Sequence, residues 1–336
     1  MGKVKDSPQP LVQKEALFNE VKGSLFEYLV ARGVAKESGI ELDFLSKLDP
    51  NYLSVLGQQD RMVRQFYPKM ALFLSDAASK TCLKINTIFK EKATSSKVVG
   101  KFSNSSRKEE WNEADIIVEF PSGTLPVSLK INKINSYVNT KSGGIKSFFQ
   151  QYFPFIDKEV QKEFNSFVDT EFNRMAFELH AQNDIEYAGN FSHWISRGLS
   201  ELPGELEKES RLILKSYYAR ISRRIHSILQ SAFLTHLDEI KKSIPSLMGF
   251  SSKEIVQIIY FHEFPSTDYH EIEIHTYDDL RRELDQTQLM PFLETSSVEI
   301  QIGRYSLQLR VKPMNKFTTT AIKINCSVKI RQPSIS

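Results

Sequence analysis

The chain has 336 residues, of which 40% are hydrophobic and 25% charged, with a formal net charge of +3. That is enough apolar material for one large domain or two ordinary ones, and no run approaches the roughly 20 apolar residues that span a bilayer. The start, MGKVKDSPQP, has no apolar core of a secretory signal, and Asp6 stands where a myristoylation signal wants Ser or Thr. Cys82 and Cys326 are far apart and belong to no CxxC or Cys/His pattern. They read as two buried, reduced thiols of a soluble cytoplasmic protein without a membrane partner.

Residues 1–10 read as a disordered tail. "LVQKEALFNEVKGSLFEYLVARGV" then places Leu17, Val21, Leu25 and Leu29 at helical spacing, interrupted by Gly23. Further helices are expected through "LDFLSKL" and "QDRMVRQFYPKMALFLSDAASKTCLKINTIFKEK", with a break or kink near Pro68. A Ser- and Lys-rich connection follows, with one short strand at "KVVGKF".

"EADIIVEFPSGTLPVSLKINK", residues 113–133, is the most informative stretch. If Ser122-Gly123 is a two-residue turn, Asp115 faces Lys130, Ile117 faces Ser128 and Glu119 faces Pro126. On the other face Ile116 meets Leu129, Val118 meets Val127 and Phe120 meets Leu125. One face is then wholly apolar and suited to packing on helices. The other brings Asp115, Ser128 and Lys130 within side-chain reach. A solvated amphipathic hairpin explains the alternation. A carboxylate is in addition the hard oxygen ligand Mg²⁺ requires, and a nearby lysine can hold an attacking water or steady charge on a phosphate.

After the hairpin, "NSYVNTKSGG" reads as a Gly/Ser/Asn loop, and residues 145–243 as a long helical block punctuated near "DIEYAGNFSHW" and "SELPGE". From "EIVQIIYFHEF" the period becomes two: "HEIEIH", "SVEIQIG", "YSLQLRVK" and "TAIKINCSVKIR" alternate as strands, with a helical "TYDDLRRELDQ" among them. The expected division is 11–144 for the N-terminal helices and hairpin, 145–250 for a helical insertion or recognition region, 251–331 for a β-rich part of the core, and a tail at 332–336. The fold class is mixed α/β (α+β), with no regular βαβ alternation.

Asp115 on one strand, followed on its partner by Ser128-Leu129-Lys130, resembles the PD-(D/E)XK nuclease superfamily, in particular type II restriction endonuclease-like proteins. The helix "EVKGSLFEYL" resembles the one that precedes the core of that superfamily and often supplies an acid. The resemblance implies a mixed sheet flanked by helices and a Mg²⁺-dependent hydrolysis of DNA phosphodiester bonds. It implies Asp115, the carbonyl of Leu129 and a helix carboxylate, Glu27 or Glu20, as metal ligands. Lys130 would orient or activate the water, and Ser128 would hold a water or phosphate oxygen. Two departures stand out: Ala114 in place of Pro, and Ser128 in place of the second acid, which removes a negative charge. Glu119 lies on the right face but four residues, roughly 13 Å, from Asp115, and ranks below Glu27; Glu113 and Glu110 precede the strand.

Phosphate contacts need cations. Lys133, Lys141 and Lys146 lie in "KINKINSYVNTKSGGIK", where the amides of Ser142-Gly143-Gly144 offer a close approach to a phosphate. Lys215, Arg220, Arg223 and Arg224 share a helical face in "RLILKSYYARISRRIHSIL", with Tyr217 and Tyr218 for base stacking. Glu271, Glu273 and His275 of "HEIEIH" share one side of a strand, a ligand set or the polar face of an edge strand. Double-stranded DNA is the expected partner, and cutting both strands with one site per chain implies a homodimer. The rival readings are a non-catalytic DNA-binding protein on the same scaffold and a helical protein-interaction module.

Overall fold

The computed structural model describes residues 11–99, 111–266, 270–313 and 316–330. The two tails expected at the ends, Glu110 and the last residues of "KVVGKF" lie outside them. The chain forms two compact units. One joins residues 1–136 to 251–279, and the other joins 137–250 to 280–336. Among the described residues, no helix is long and apolar enough to cross a membrane.

In the first unit four helices precede a five-stranded sheet: α1 (Leu11–Glu37), α2 (Glu41–Ser46), α3 (Pro50–Phe66) and α4 (Pro68–Phe89). α1 runs straight through Gly23, contrary to the expected interruption. The helix-propensity cost there is about 1 kcal/mol, which the packing of Val21, Leu25, Phe26, Val30 and Val34 outweighs. α3 starts at Asp49, whose carboxylate accepts the N–H groups of Asn51 (2.7 Å) and Tyr52 (3.2 Å). The chain breaks at Tyr67, and Pro68 opens α4, where a missing N–H costs nothing. Gly33 permits close approach of α1 to α4, since a Cβ there would lie 2.4 Å from Cys82 Sγ.

The sheet contains β1 (Ser95–Val98), β2 (Ile116–Phe120), β3 (Gly123–Lys133), β5 (Val256–His262) and β6 (His270–Thr276), in the order β1-β2-β3-β5-β6. β3 and β5 are parallel and the other pairs antiparallel. The expected face partition of the hairpin holds. Ile116, Val118, Phe120, Leu125, Val127 and Leu129 all join the core formed with α1 and α4. The register is shifted by two residues, because Phe120 pairs with Gly123 and Ile116 with Val127. Pro121-Ser122 therefore makes the turn instead of Ser122-Gly123. Pro121 brings its preset φ to the first central position, and Glu91 Oε1 accepts both the N–H and the hydroxyl of Ser122. With a side-chain period of two, a two-residue shift leaves every side chain on its face.

The second unit carries β4 (Val138–Gly144), α5 (Phe148–Tyr152), α6 (Lys158–Gln182), α7 (Ser192–Ser196), α8 (Lys208–Thr235) and α9 (Leu237–Leu247). After α10 (Tyr277–Glu283) come β7 (Thr287–Leu289), β8 (Ser297–Ile302), β9 (Tyr305–Pro313) and β10 (Ile322–Ile330). Its sheet has the order β4-β10-β9-β8-β7 and is antiparallel throughout. Two expectations change here. The glycine-rich "NTKSGG" is an edge strand and not a loop: Ser142, Gly143 and Gly144 pair with Asn325, Ile324 and Lys323. Tertiary pairing overrides weak local β-propensity, and Gly143 sits where a Cβ would lie 3.3 Å from the Tyr152 ring. The strands after 251, expected as one continuation of the hairpin core, divide between the two sheets. β5 and β6 join the hairpin, while β7–β10 join β4.

Candidate active site

Asp115 stands immediately before β2. Its N–H reaches the carbonyl of Val127, the residue that also partners Ile116. Two residues facing one is the geometry of a β-bulge, which re-aims a side chain at the end of a strand. The Asp115 carboxylate turns onto β3, and three donors converge on its Oδ2: Leu129 N–H at 2.7 Å, Lys130 Nζ at 3.2 Å and Ser128 Oγ at 3.3 Å. Asp115 is 19% exposed and Lys130 28%, while Ser128 is buried at 2%.

Glu27 of α1 belongs to the same group. Burial, then the Asp115 charge, raises its carboxyl from the ordinary 4.5 to about 8, against the opposing pull of Lys130. Two carboxylates and an ammonium are therefore close enough to govern one another's charge. For Lys130, burial disfavours the ammonium, but Asp115, Glu27 and Glu113 outweigh it and hold its pKa above the usual lysine value. Tyr52 of α3 borders the cluster. Burial raises its hydroxyl pKa first, and the Glu27 charge adds to that.

The other acids named from the sequence are placed elsewhere or at the margin. Glu20 is exposed, seven residues before Glu27 on α1. Glu119 is engaged by Lys97 at 2.8 Å across β1 and β2. Glu113 contributes to the charge around Lys130.

The cations are distributed over both units. Lys133 ends β3, exposed, and pairs in register with His262 of β5. Lys141 lies in β4 opposite Cys326, and Lys146 is bound to Asp169 of α6 at 2.5 Å. On α8, Arg220 pairs with Glu171, Arg223 with Glu294, and Arg224 with Glu163 at 3.4 Å. Lys215 is exposed, whereas Tyr217 and Tyr218 are buried and not presented for stacking. "HEIEIH" is an edge strand as its polar face suggests, with His275 Nε2 2.7 Å from Glu273 Oε2. Among the described residues, no group of three or more His, Cys, Asp or Glu side chains is placed to hold a metal ion.

Sequence reasoning passed over Gln257. The parallel pairing of β3 with β5 sets Gln257 beside Ser128, and that pairing joins strands more than a hundred residues apart, beyond any local pattern. Comparison with family models, curated proteins and solved structures finds no match to this chain.

Proposed function

We propose that the chain is a Mg²⁺-dependent endonuclease of the PD-(D/E)XK, restriction-enzyme-like kind, acting on double-stranded DNA. One observation carries this reading: Asp115, Ser128, the Leu129 amide and Lys130 meet at a single carboxylate oxygen, with the raised carboxyl of Glu27 beside it. The donor set suits Mg²⁺, which is bound through one or two carboxylates and otherwise keeps waters and substrate phosphate oxygens. It would not form an all-protein cage. Asp115, Glu27 and the Leu129 carbonyl would hold the ion. A bound Mg²⁺ would lower the pKa of water and offset charge developing on the phosphate.

The chain's own residues have separate tasks. Lys130, with its raised pKa, stays an ammonium at neutral pH and so serves to orient a water or phosphate oxygen and to offset negative charge, more than to remove a proton. Ser128 and the Leu129 amide hold Asp115 in one orientation. Glu27, whose carboxyl is raised by burial and then by the Asp115 charge, would serve as a ligand in its ionised form, which a nearby cation's charge would favour. Lys133, exposed at the end of the same strand, would meet the DNA backbone. Two such chains related by a twofold axis would cut both strands.

Ser128 in place of a carboxylate favours a second reading, a DNA-binding protein without catalysis. Purified protein incubated with supercoiled plasmid, with and without Mg²⁺ or Mn²⁺, separates the two. Nicked or linear products that require the metal and are absent with Asp115→Ala and Lys130→Ala support the endonuclease. DNA binding indifferent to Mg²⁺, with intact plasmid, supports the second reading. Cleavage at the parent's rate by both variants refutes the site.

A further inference from the structure

The sheet face that carries Ser128 and Lys130 continues across two more strands. By register, Ser128 of β3 neighbours Gln257 of β5, which neighbours His275 of β6. One step along, Lys130, Ile259 and Glu273 form the next row. Adjacent strands are about 4.8 Å apart, and directly opposed side chains on one face are in contact range. The first row is therefore a polar line from Asp115 through Ser128 and Gln257 to His275, fixed at its far end by Glu273 at 2.7 Å.

That line is buried. Ser128 is 2% exposed, Gln257 6% and His275 5%. Burying polar side chains costs free energy unless each is hydrogen-bonded. Apolar residues suit the same face, because Ile117, Ile259 and Phe261 occupy it and are buried. Three buried polar side chains therefore stand side by side at the row that ends at Asp115. A buried hydroxyl can donate only one proton, and Ser128 directs its own to Asp115 Oδ2. A polar neighbour that holds the hydroxyl in that orientation has a use here that Leu or Val would not.

We infer that Gln257 and the Glu273–His275 pair are positioning residues that fix Ser128, and through it Asp115 and Lys130, for the reaction. The inference rests on the endonuclease reading above for its catalytic readout. Its structural content, control of the Asp115–Lys130 pair from β5 and β6, has a readout of its own.

The experiment compares Gln257→Leu, Glu273→Gln and Asp115→Ala with the parent. It records plasmid-cleavage kinetics in Mg²⁺, melting temperature, and the rate at which an amine-acylating reagent labels Lys130, located by mass spectrometry. Misplacing a reacting group by about 1 Å can cost about 10²-fold in rate. Gln257→Leu and Glu273→Gln are expected to lower turnover tenfold or more with KM unchanged. Both should label Lys130 at least threefold faster than the parent at an unaltered melting temperature. Parent-like turnover and labelling in both variants, while Asp115→Ala is inactive, overturns the inference and leaves the endonuclease reading standing. If Asp115→Ala cuts like the parent, the endonuclease reading fails, and unchanged Lys130 labelling in the two row variants still refutes the positioning claim. Should Gln257→Leu fail to fold, Glu273→Gln, on an edge strand and partly exposed, carries the test.

Discussion

The Asp115 cluster and the arginines of α8 are both charge-rich, and they resolve their charge in opposite ways. On α8 three arginines each meet a carboxylate: Arg220 with Glu171, which Arg174 also approaches at 4.0 Å, Arg223 with Glu294, and Arg224 with Glu163. Around Asp115 one ammonium faces two carboxyl groups, and Glu27, through burial and then the Asp115 charge, keeps its proton to about pH 8. The first arrangement is complete as it stands. The second is balanced only while Glu27 stays protonated, and its ionisation leaves a negative charge that a cation or a substrate can offset. A residue's type in the sequence does not tell these apart; its partners do.

The widest separation between the two regions should come from Asp115→Ala and Lys130→Ala. Each is expected to reduce Mg²⁺-dependent cleavage by roughly 10²–10⁴-fold, measured on supercoiled plasmid, whereas alanine at Arg223 or Arg224 leaves turnover within about threefold.

Glu27→Gln comes next. A loss of about 10²-fold in cleavage is expected, together with a change in pH-dependent stability. The folded pKa of about 8 lies above the ordinary 4.5. The stability this group lends is complete below pH 4.5 and is lost as pH rises through about 8. The parent should therefore lose melting temperature between pH 4.5 and about pH 8 in the absence of metal, and the Gln variant should lose less. His262 sets the acid side. Burial, with the charges of Lys22 and Lys133, lowers its pKa from 6.5 to about 4. Its contribution holds above pH 6.5 and is lost as pH falls through about 4, so His262→Gln should flatten that limb of the same melting curve.

Within α8 the comparison can be made finer. Arg220→Ala leaves the nearly buried Glu171 with only the more distant Arg174, at 4.0 Å, and is expected to destabilise by about 3 kcal/mol in urea unfolding. Arg223→Ala and Arg224→Ala remove exposed pairs and should cost under about 1 kcal/mol each. The smallest effect is expected for Lys133→Ala and Lys215→Ala, exposed cations with no carboxylate in ion-pair range among the described residues. If they meet DNA phosphates, each lowers the salt slope of binding by about one, measurable by titration at several ionic strengths. An unchanged slope removes that residue from the interface.

The sequence by itself determined whatever depends on a local period. The alternation of residues 116–129 assigned each hairpin side chain to its face, and helical spacing on α1 put Glu20 and Glu27, the candidates the family resemblance implied, on similar faces. Because those assignments repeat every two residues, or every turn, they survived a register shift of two. The tertiary structure decided what depends on partners distant in the chain. It chose Pro121-Ser122 as the turn, made "NTKSGG" a strand on β10, and divided the later strands between two sheets. It also brought Gln257 and His275 into line with Ser128, and matched Arg220, Arg223 and Arg224 of α8 to acids. The physical reason is one of range. Side-chain direction is fixed by a residue's own backbone geometry, whereas strand partners, desolvation and charge pairing are properties of the folded neighbourhood, which no local stretch of sequence contains.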